Sequence, residues 1–178
     1  MSVNTNWYII IGAPSSGKTE VIKNLASLEY ITHPEVSRDL INNEISKGKT
    51  VKQVRNNEAE FQKRVLQARI KAENKLSPEQ TIFIDGGGIP SNIAYYQIVG
   101  LDPVTIIEEA KKKKYRGVFL LERLPFEKDY ARVEDEETAI NLDKLLYEAY
   151  SNLGYNVIRV PIMSVSERVK FILDNLSC

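Results

Sequence analysis

The sequence predicts a three-layer α/β/α domain on a mainly parallel five-stranded sheet. Three observations carry that expectation. Short apolar runs, Trp7–Ile11, Thr81–Ile84 and Val118–Leu121, alternate with longer amphipathic stretches. This is the pattern of strands covered on both faces by crossover helices. The first run passes straight into a glycine-containing loop and then a helical stripe, a strand–loop–helix unit. The chain has 178 residues, 43% of them hydrophobic, enough for one core at the usual ~150 residues per domain. One domain over residues 1–178 is expected.

The elements follow in order. Trp7–Ile11 is β-branched and aromatic throughout, as in a central strand. A helix near Lys18–Leu28 places Val21, Ile22, Leu25 and Leu28 on one side. Tyr30–Thr32 is a short strand candidate, and Ser37–Lys47 a helix that Gly48 ends. Thr50 and Gln53 have capping-box spacing and open a long helix. Its apolar face is Phe61, Val65, Ala68, Ala72 and Leu76, and Ser77-Pro78 stops it. Thr81–Ile84 is a buried strand ending in Asp85, then Gly86-Gly87-Gly88 breaks the chain before a helix near Ser91–Val99. Asp102-Pro103 caps a short helix that closes in Lys111–Lys114, read as a solvated C-terminus. Val118–Leu121 is the next strand, and a charged segment runs from Glu122 to Glu137. A helix to about Leu153 turns Leu142, Leu145, Leu146 and Ala149 inward, and Asn156–Val160 is the last strand. Ser164 and Glu167 form a second capping box, with Val165, Val169, Ile172 and Leu176 as the final stripe.

Composition removes several function classes. Lys plus Arg total 24 and Asp plus Glu total 24, so the chain lacks the positive excess of a general nucleic-acid binder. One cysteine, Cys178, excludes an internal disulfide and a Cys-rich zinc site, and one histidine, His33, excludes a multi-His metal site. No apolar run approaches the ~18 residues a membrane helix needs. A soluble, cytoplasmic protein is the expectation, with no membrane partner.

The strongest chemical signal is Gly12-Ala13-Pro14-Ser15-Ser16-Gly17-Lys18-Thr19, which fits G-x-x-x-x-G-K-[ST]. Glycines let the chain wrap an anion, and successive N–H groups with the helix N-terminus face the α- and β-phosphates. Gly12, Pro14, Ser15, Ser16, Gly17, Lys18 and Thr19 are therefore the candidate ATP cradle. Lys18 would reach the β- and γ-phosphates, and the Thr19 hydroxyl would ligate Mg²⁺. Such a site needs a carboxylate at a neighbouring strand end. Asp85 fits, holding Mg²⁺ or taking a proton from an acceptor, and Glu122 after the Val118–Leu121 strand competes with it.

Glu35 and Arg38 share the first face of a helix and are candidates for the acceptor side. The Glu122–Glu137 segment carries Arg123, Lys128 and Arg132 among acidic residues, the composition of a lid over a phosphate site. Arg123 or Arg132 would stabilise charge on the transferred group, with Asp129 spaced to orient Arg132. A solvated connection is the plain alternative.

Together these residues resemble the AAA-type P-loop ATPase family that includes ribosylnicotinamide-kinase-like domains. The resemblance spans nearly the whole chain. It rests on Gly12–Thr19, Pro34-Glu35-Val36-Ser37-Arg38, the Asp85 region through Ala94-Tyr95, and Lys128-Asp129-Tyr130-Ala131-Arg132. Tyr150–Tyr155, Val160-Pro161 and Ser166-Glu167-Arg168 extend it. It implies a kinase-like P-loop fold, Mg²⁺-dependent ATP binding, ATP hydrolysis or phosphoryl transfer to a small, nucleoside-like acceptor, and site-facing roles for Glu35, Arg38, Asp129 and Arg132. One departure stands out: where members commonly carry Asp-Arg-Gly, this chain reads Asp85-Gly86-Gly87-Gly88. The loop arginine is missing, which keeps open a second class, a nucleotide-binding switch or partner-binding module with little turnover.

Overall fold

The computed structural model describes residues 2–125 and 135–176. Its centre is a five-stranded parallel sheet. The strands are β2 (Trp7–Ile11), β3 (Ile31–His33), β4 (Ile82–Asp85), β6 (Gly117–Leu121) and β7 (Val157–Val160), in the order β3-β4-β2-β6-β7. Two short strands, β1 (Val3–Asn4) and β5 (Lys113–Lys114), pair in parallel beside it.

Alternation along the central strand builds two core layers. Tyr8 and Ile10 face helices α1 (Lys18–Ser27) and α8 (Val165–Asp174), packing with Val21, Leu25, Val169 and Ile172. Trp7, Ile9 and Ile11 face the opposite layer, with Ile93 of α5 (Ser91–Ile98), Ile106 of α6 (Val104–Ala110), and Leu142 and Leu146 of α7 (Glu136–Ser151). All five residues of β2 are buried, which explains why they lack the polar alternation of a half-exposed strand. A third cluster, Ile41, Val54, Phe61 and Val65, ties α2 (Val36–Ser46), α3 (Val51–Val54) and α4 (Glu58–Glu73) together.

After β2 the chain crosses to β3 at the sheet edge, returns to β4, then continues on the other side through β6 and β7. This reversal opens a crevice at the carboxyl ends of β2 and β4, where ligands of open α/β sheets bind. Among the described residues, no helix is long and apolar enough to cross a membrane.

Four expectations need correcting. The Thr50–Gln53 capping box forms, but its helix lasts one turn. Asn57 then caps α4 by accepting the Glu60 N–H, so the expected long helix is two. Lys113 and Lys114 do not end a solvated helix: α6 stops at Ala110, and the two lysines pair with Val3 and Asn4. Glu136 and Glu137 belong to the first turn of α7, which Asp135 caps through the Thr138 N–H. Finally, α4 buries Phe61, Gln62, Val65, Arg69 and Glu73, so its inner face carries polar groups where an apolar stripe was expected.

Candidate nucleotide and acceptor site

The glycine loop leaves β2 at Ile11 and delivers Lys18 as the first residue of α1. The Lys18 ammonium lies inside the loop, donating to the Gly12 carbonyl (2.7 Å), the Ala13 carbonyl (3.3 Å) and the Ser16 hydroxyl (3.3 Å). Gly12 is dictated by close approach, since a Cβ there would stand 2.5 Å from Ser16 Oγ. The loop is braced from outside by Arg168 of α8, which is 2% exposed. Its guanidinium donates to the carbonyls of Ser16 (2.5 Å), Glu122 (3.0 Å) and Pro161 (3.0 Å). The Leu124 N–H adds a bond to the Ser15 carbonyl (2.9 Å). Thus the loop, the exit of β6 and the exit of β7 are joined by one buried cation. Arg168 stood within the family-like residues, but nothing in its spacing marked it as a brace.

Asp85 ends β4 next to this loop, in register with Ile10. It is 5% exposed, and its Oδ1 has no hydrogen-bond partner among the described residues. Burial and the neighbouring Glu35 charge push its carboxyl up to about 6, against the pull of Lys18, the Gly86 N–H and Arg38. Glu35 precedes α2 and accepts the Ser37 hydroxyl at 2.7 Å, with Arg38 Nε 4.0 Å from its other oxygen. Burial works to raise Glu35 as well, but Lys18, Ser37, Arg38 and Arg69 together hold it below the usual carboxylate value. Two neighbouring carboxyls are therefore driven in opposite directions, the condition under which one site separates a proton acceptor from a proton-holding partner.

A cleft opens in front of them. Pro14, Lys18, Glu35, Arg38, Arg69 and Tyr95 line it. Phe61, Val65 and Ile41 supply apolar surface. Arg69 is 3% exposed and donates to the Gly86 carbonyl (3.2 Å) and to Asn92 Oδ1. A guanidinium from α4 thus lies against the Gly86–Gly88 loop. The only signal for it in the sequence is that Phe61, Val65, Arg69 and Glu73 fall four apart, and an i,i+4 Arg–Glu pair ordinarily reads as a solvated face.

The structure brings Gly12–Thr19, Glu35, Arg38 and Asp85 to one place. Arg123 is not among the residues lining the cleft; it lies 3.8 Å from Glu136 at the start of α7. Glu122 contributes its backbone, accepting from Arg168 and donating to the Val160 carbonyl. Lys128, Asp129 and Arg132, with most of the expected lid, lie outside the described residues. The donor set suits a hard cation: the Thr19 hydroxyl and the unbonded Asp85 oxygen are both oxygens, and Mg²⁺ in such sites takes one or two protein ligands and completes its shell with phosphates and water. No group of three or more His, Cys, Asp or Glu that could hold a metal exists among the described residues.

Comparison with known proteins agrees on the architecture. No curated protein matches the chain's sequence. Solved structures that match the fold include deoxyadenosine kinase from M. mycoides with dCMP and dCDP bound, at 16% identity and TM-score 0.63, covering 94% of this chain and 96% of that one. Thymidylate kinase from Candida albicans matches at 14% identity and TM-score 0.68, covering 98% and 92%. The NadR protein in complex with NR matches at 13% identity and TM-score 0.70, covering 97% of this chain but 50% of that one. At these identities the likeness establishes the P-loop kinase-like α/β fold. A family model described as an AAA domain matches residues 7–168, and the chain belongs to that family.

Proposed function

We propose that the protein is a Mg²⁺-dependent ATP phosphotransferase acting on a hydroxyl of a small, nucleoside-like acceptor. The observation that supports this best is the buried Asp85 oxygen without a hydrogen-bond partner, within electrostatic reach of Lys18 and Glu35, two residues that line the cleft. Leaving a buried acceptor unpaired costs about 1–3 kcal/mol, and this one lies beside the anion-binding Lys18 loop. An oxygen kept unbonded is ready for a metal or a reactant.

The residues then divide the work. The loop N–H groups and Lys18 bind the phosphates, Lys18 exchanging its carbonyl partners for phosphate oxygens. Thr19 and Asp85 would hold Mg²⁺, which supplies Lewis-acid neutralisation of the phosphate charge when bound. Glu35, kept ionised by its cations, accepts the acceptor's hydroxyl proton. Arg38 and Arg69 offset negative charge where the group is transferred. Phe61, Tyr95 and Val65 exclude water and pack a flat ring. Positioning and electrostatics carry such a reaction, since it asks little covalent chemistry of the protein.

The alternative, a switch with little turnover, draws on a loop without its own cation. Arg69 reaching the Gly86 carbonyl supports turnover instead. The test is thermal stabilisation by ATP, GTP and ADP with Mg²⁺, followed by product detection across nucleosides and phosphorylated sugars. Stabilisation by a Mg²⁺–nucleotide and one acceptor that multiplies turnover are expected. No stabilisation by any of them would overturn the reading.

A further inference from the structure

Asp85 is seated in β4 opposite Ile10, its Oδ1 is unbonded and the Gly86 N–H is its partner, so the aim of its carboxyl depends on how the backbone of Gly86 and the loop after it is held. That backbone is three glycines, the most freely moving sequence a chain can use. Yet the loop is fixed at several points by side chains from outside the cleft. The Gly88 N–H donates to the Tyr150 hydroxyl of α7 (2.9 Å), which also bonds Ser91 Oγ (2.9 Å). The Ile89 N–H donates to Glu73 Oε1 of α4 (2.9 Å) and to the Tyr115 hydroxyl (3.1 Å). Tyr115 in turn donates to both Glu73 oxygens, at 2.9 and 3.1 Å.

All of these groups are buried: Tyr150 and Ser91 at 0%, Glu73 at 2%, Tyr115 at 3%. An apolar core would not need them, because buried hydroxyls and carboxylates cost free energy unless bonded. Here their bonds go to the loop and to one another. The space confirms the design: a Cβ on Gly87 would stand 1.9 Å from Ser91 Oγ, and one on Gly88 would stand 2.3 Å from the Tyr115 hydroxyl. Gly87 leaves room for Ser91, the partner of Tyr150, and Gly88 leaves room for Tyr115. On α4, Glu73 lies one turn beyond Arg69, so the same helix carries a cleft wall and part of the support.

We infer that Glu73, Tyr115 and Tyr150 are positioning residues, a buried clamp that fixes the Gly86–Ile89 backbone and thereby aims Asp85 for phosphoryl transfer. The inference rests on the phosphotransferase reading above and adds residues to it that touch neither nucleotide nor acceptor. Small displacements of a reacting group carry large kinetic penalties, whereas the P-loop is braced separately by Arg168. Loosening the clamp therefore lowers turnover without weakening nucleotide binding.

The experiment uses Mg²⁺–ATP hydrolysis for turnover and Mg²⁺–ADP for binding, in Tyr150→Phe, Glu73→Ala and Glu73→Gln. Tyr150→Phe and Glu73→Ala are expected to lower kcat about tenfold or more, with KM for ATP and Kd for ADP within about twofold. Glu73→Gln, which keeps an acceptor for Ile89, is expected to recover much of the loss. Amide exchange supplies a readout that needs no turnover: Gly88 in Tyr150→Phe is expected to exchange at least about tenfold faster than in wild type. Unchanged kcat, a loss that tracks KM alone, or unchanged Gly88 exchange would each overturn the clamp. If Tyr150→Phe does not fold, Tyr115→Phe is read by the same kinetic criteria, with the Ile89 amide in place of Gly88 for exchange. Should wild type bind no Mg²⁺–ADP, the phosphotransferase reading falls on that result, the aiming role falls with it, and Gly88 exchange decides whether the clamp itself exists.

Discussion

Two glycine-bearing loops face each other at the carboxyl ends of neighbouring parallel strands, and they are built on different principles. Gly12–Gly17, after β2, makes its own binding surface. Its donors are backbone N–H groups, its charge is the Lys18 that begins the next helix, and one cation, Arg168, braces it from behind. Gly86–Gly88, after β4, makes nothing alone. Its shape comes from Glu73, Tyr115 and Tyr150, and its nearest guanidinium from Arg69, all distant in the chain. The first loop is a local device that carries its chemistry in eight consecutive residues. The second is a tertiary device whose residues mean little until the helices pack.

The comparison can be broken at several points, the largest effect first. Lys18→Ala removes the only charge the first loop owns. Turnover is expected to fall on the order of 10³-fold. The stabilisation by saturating Mg²⁺–nucleotide, about 2.7 kcal/mol at a hundred times Kd, is expected to vanish in a thermal melt. Retention of either would mean that the loop binds through backbone alone.

Arg168→Ala tests the brace. It strips three carbonyls, one buried and two partly buried, of a donor, so a loss of about 3 kcal/mol in denaturant unfolding is expected, with nucleotide affinity lowered too. A loss below about 1 kcal/mol would show the loop to be self-supporting.

Asp85→Asn tests the second loop's cost. The carboxyl titrates near 6 when folded against an ordinary 3.8. The folded state therefore holds the extra proton between those values, and stability falls as pH rises from about 4 to about 6. Above that range the full penalty applies, at most about 3 kcal/mol at 1.36 kcal/mol per pH unit. Asp85→Asn is expected to raise the melting temperature of the nucleotide-free protein at pH 7, to lose that advantage below pH 4, and to lose turnover at every pH. A variant no more stable at pH 7 than the wild type would remove the claim that the carboxylate is held under strain for function.

Gly86→Ala is the mildest probe. Gly86 sits at φ +71, and a Cβ there meets Glu35 Cγ at 2.6 Å. The left-handed conformation costs an alanine about 1 kcal/mol, and the flexible Glu35 chain can move aside. A small stability loss with a larger loss of turnover is expected, since it is Glu35 that gives way. Equal losses in both would point to simple loop damage.

Legibility followed the same division. The P-loop, the order of strands and helices, Glu35 with Arg38, and Asp85 at a strand end could all be read from spacing, because each is a local pattern. Arg69 and Glu73 could not. A charged i,i+4 pair on a helix looks solvated in sequence, and only the packing of α4 against α5 and the Gly86–Gly88 loop turns it inward. The α3–α4 break failed for a related reason: Thr50 and Asn57 are both good caps, and the capping box satisfied the periodicity that hid the second. Arg123 looked like a lid cation by composition, yet it lies against Glu136, because the acidic end of that segment is the first turn of α7.

By itself, then, the sequence determined a parallel α/β sheet and a phosphate-binding loop, since strand periodicity and backbone N–H geometry are properties of consecutive residues. The tertiary structure alone decided what stands opposite that loop. Whether a buried charge or hydroxyl is tolerated depends on partners brought from elsewhere in the chain. Glu73, Tyr115 and Tyr150 became a support for Asp85 only when folding placed them beneath three glycines with no side chains of their own.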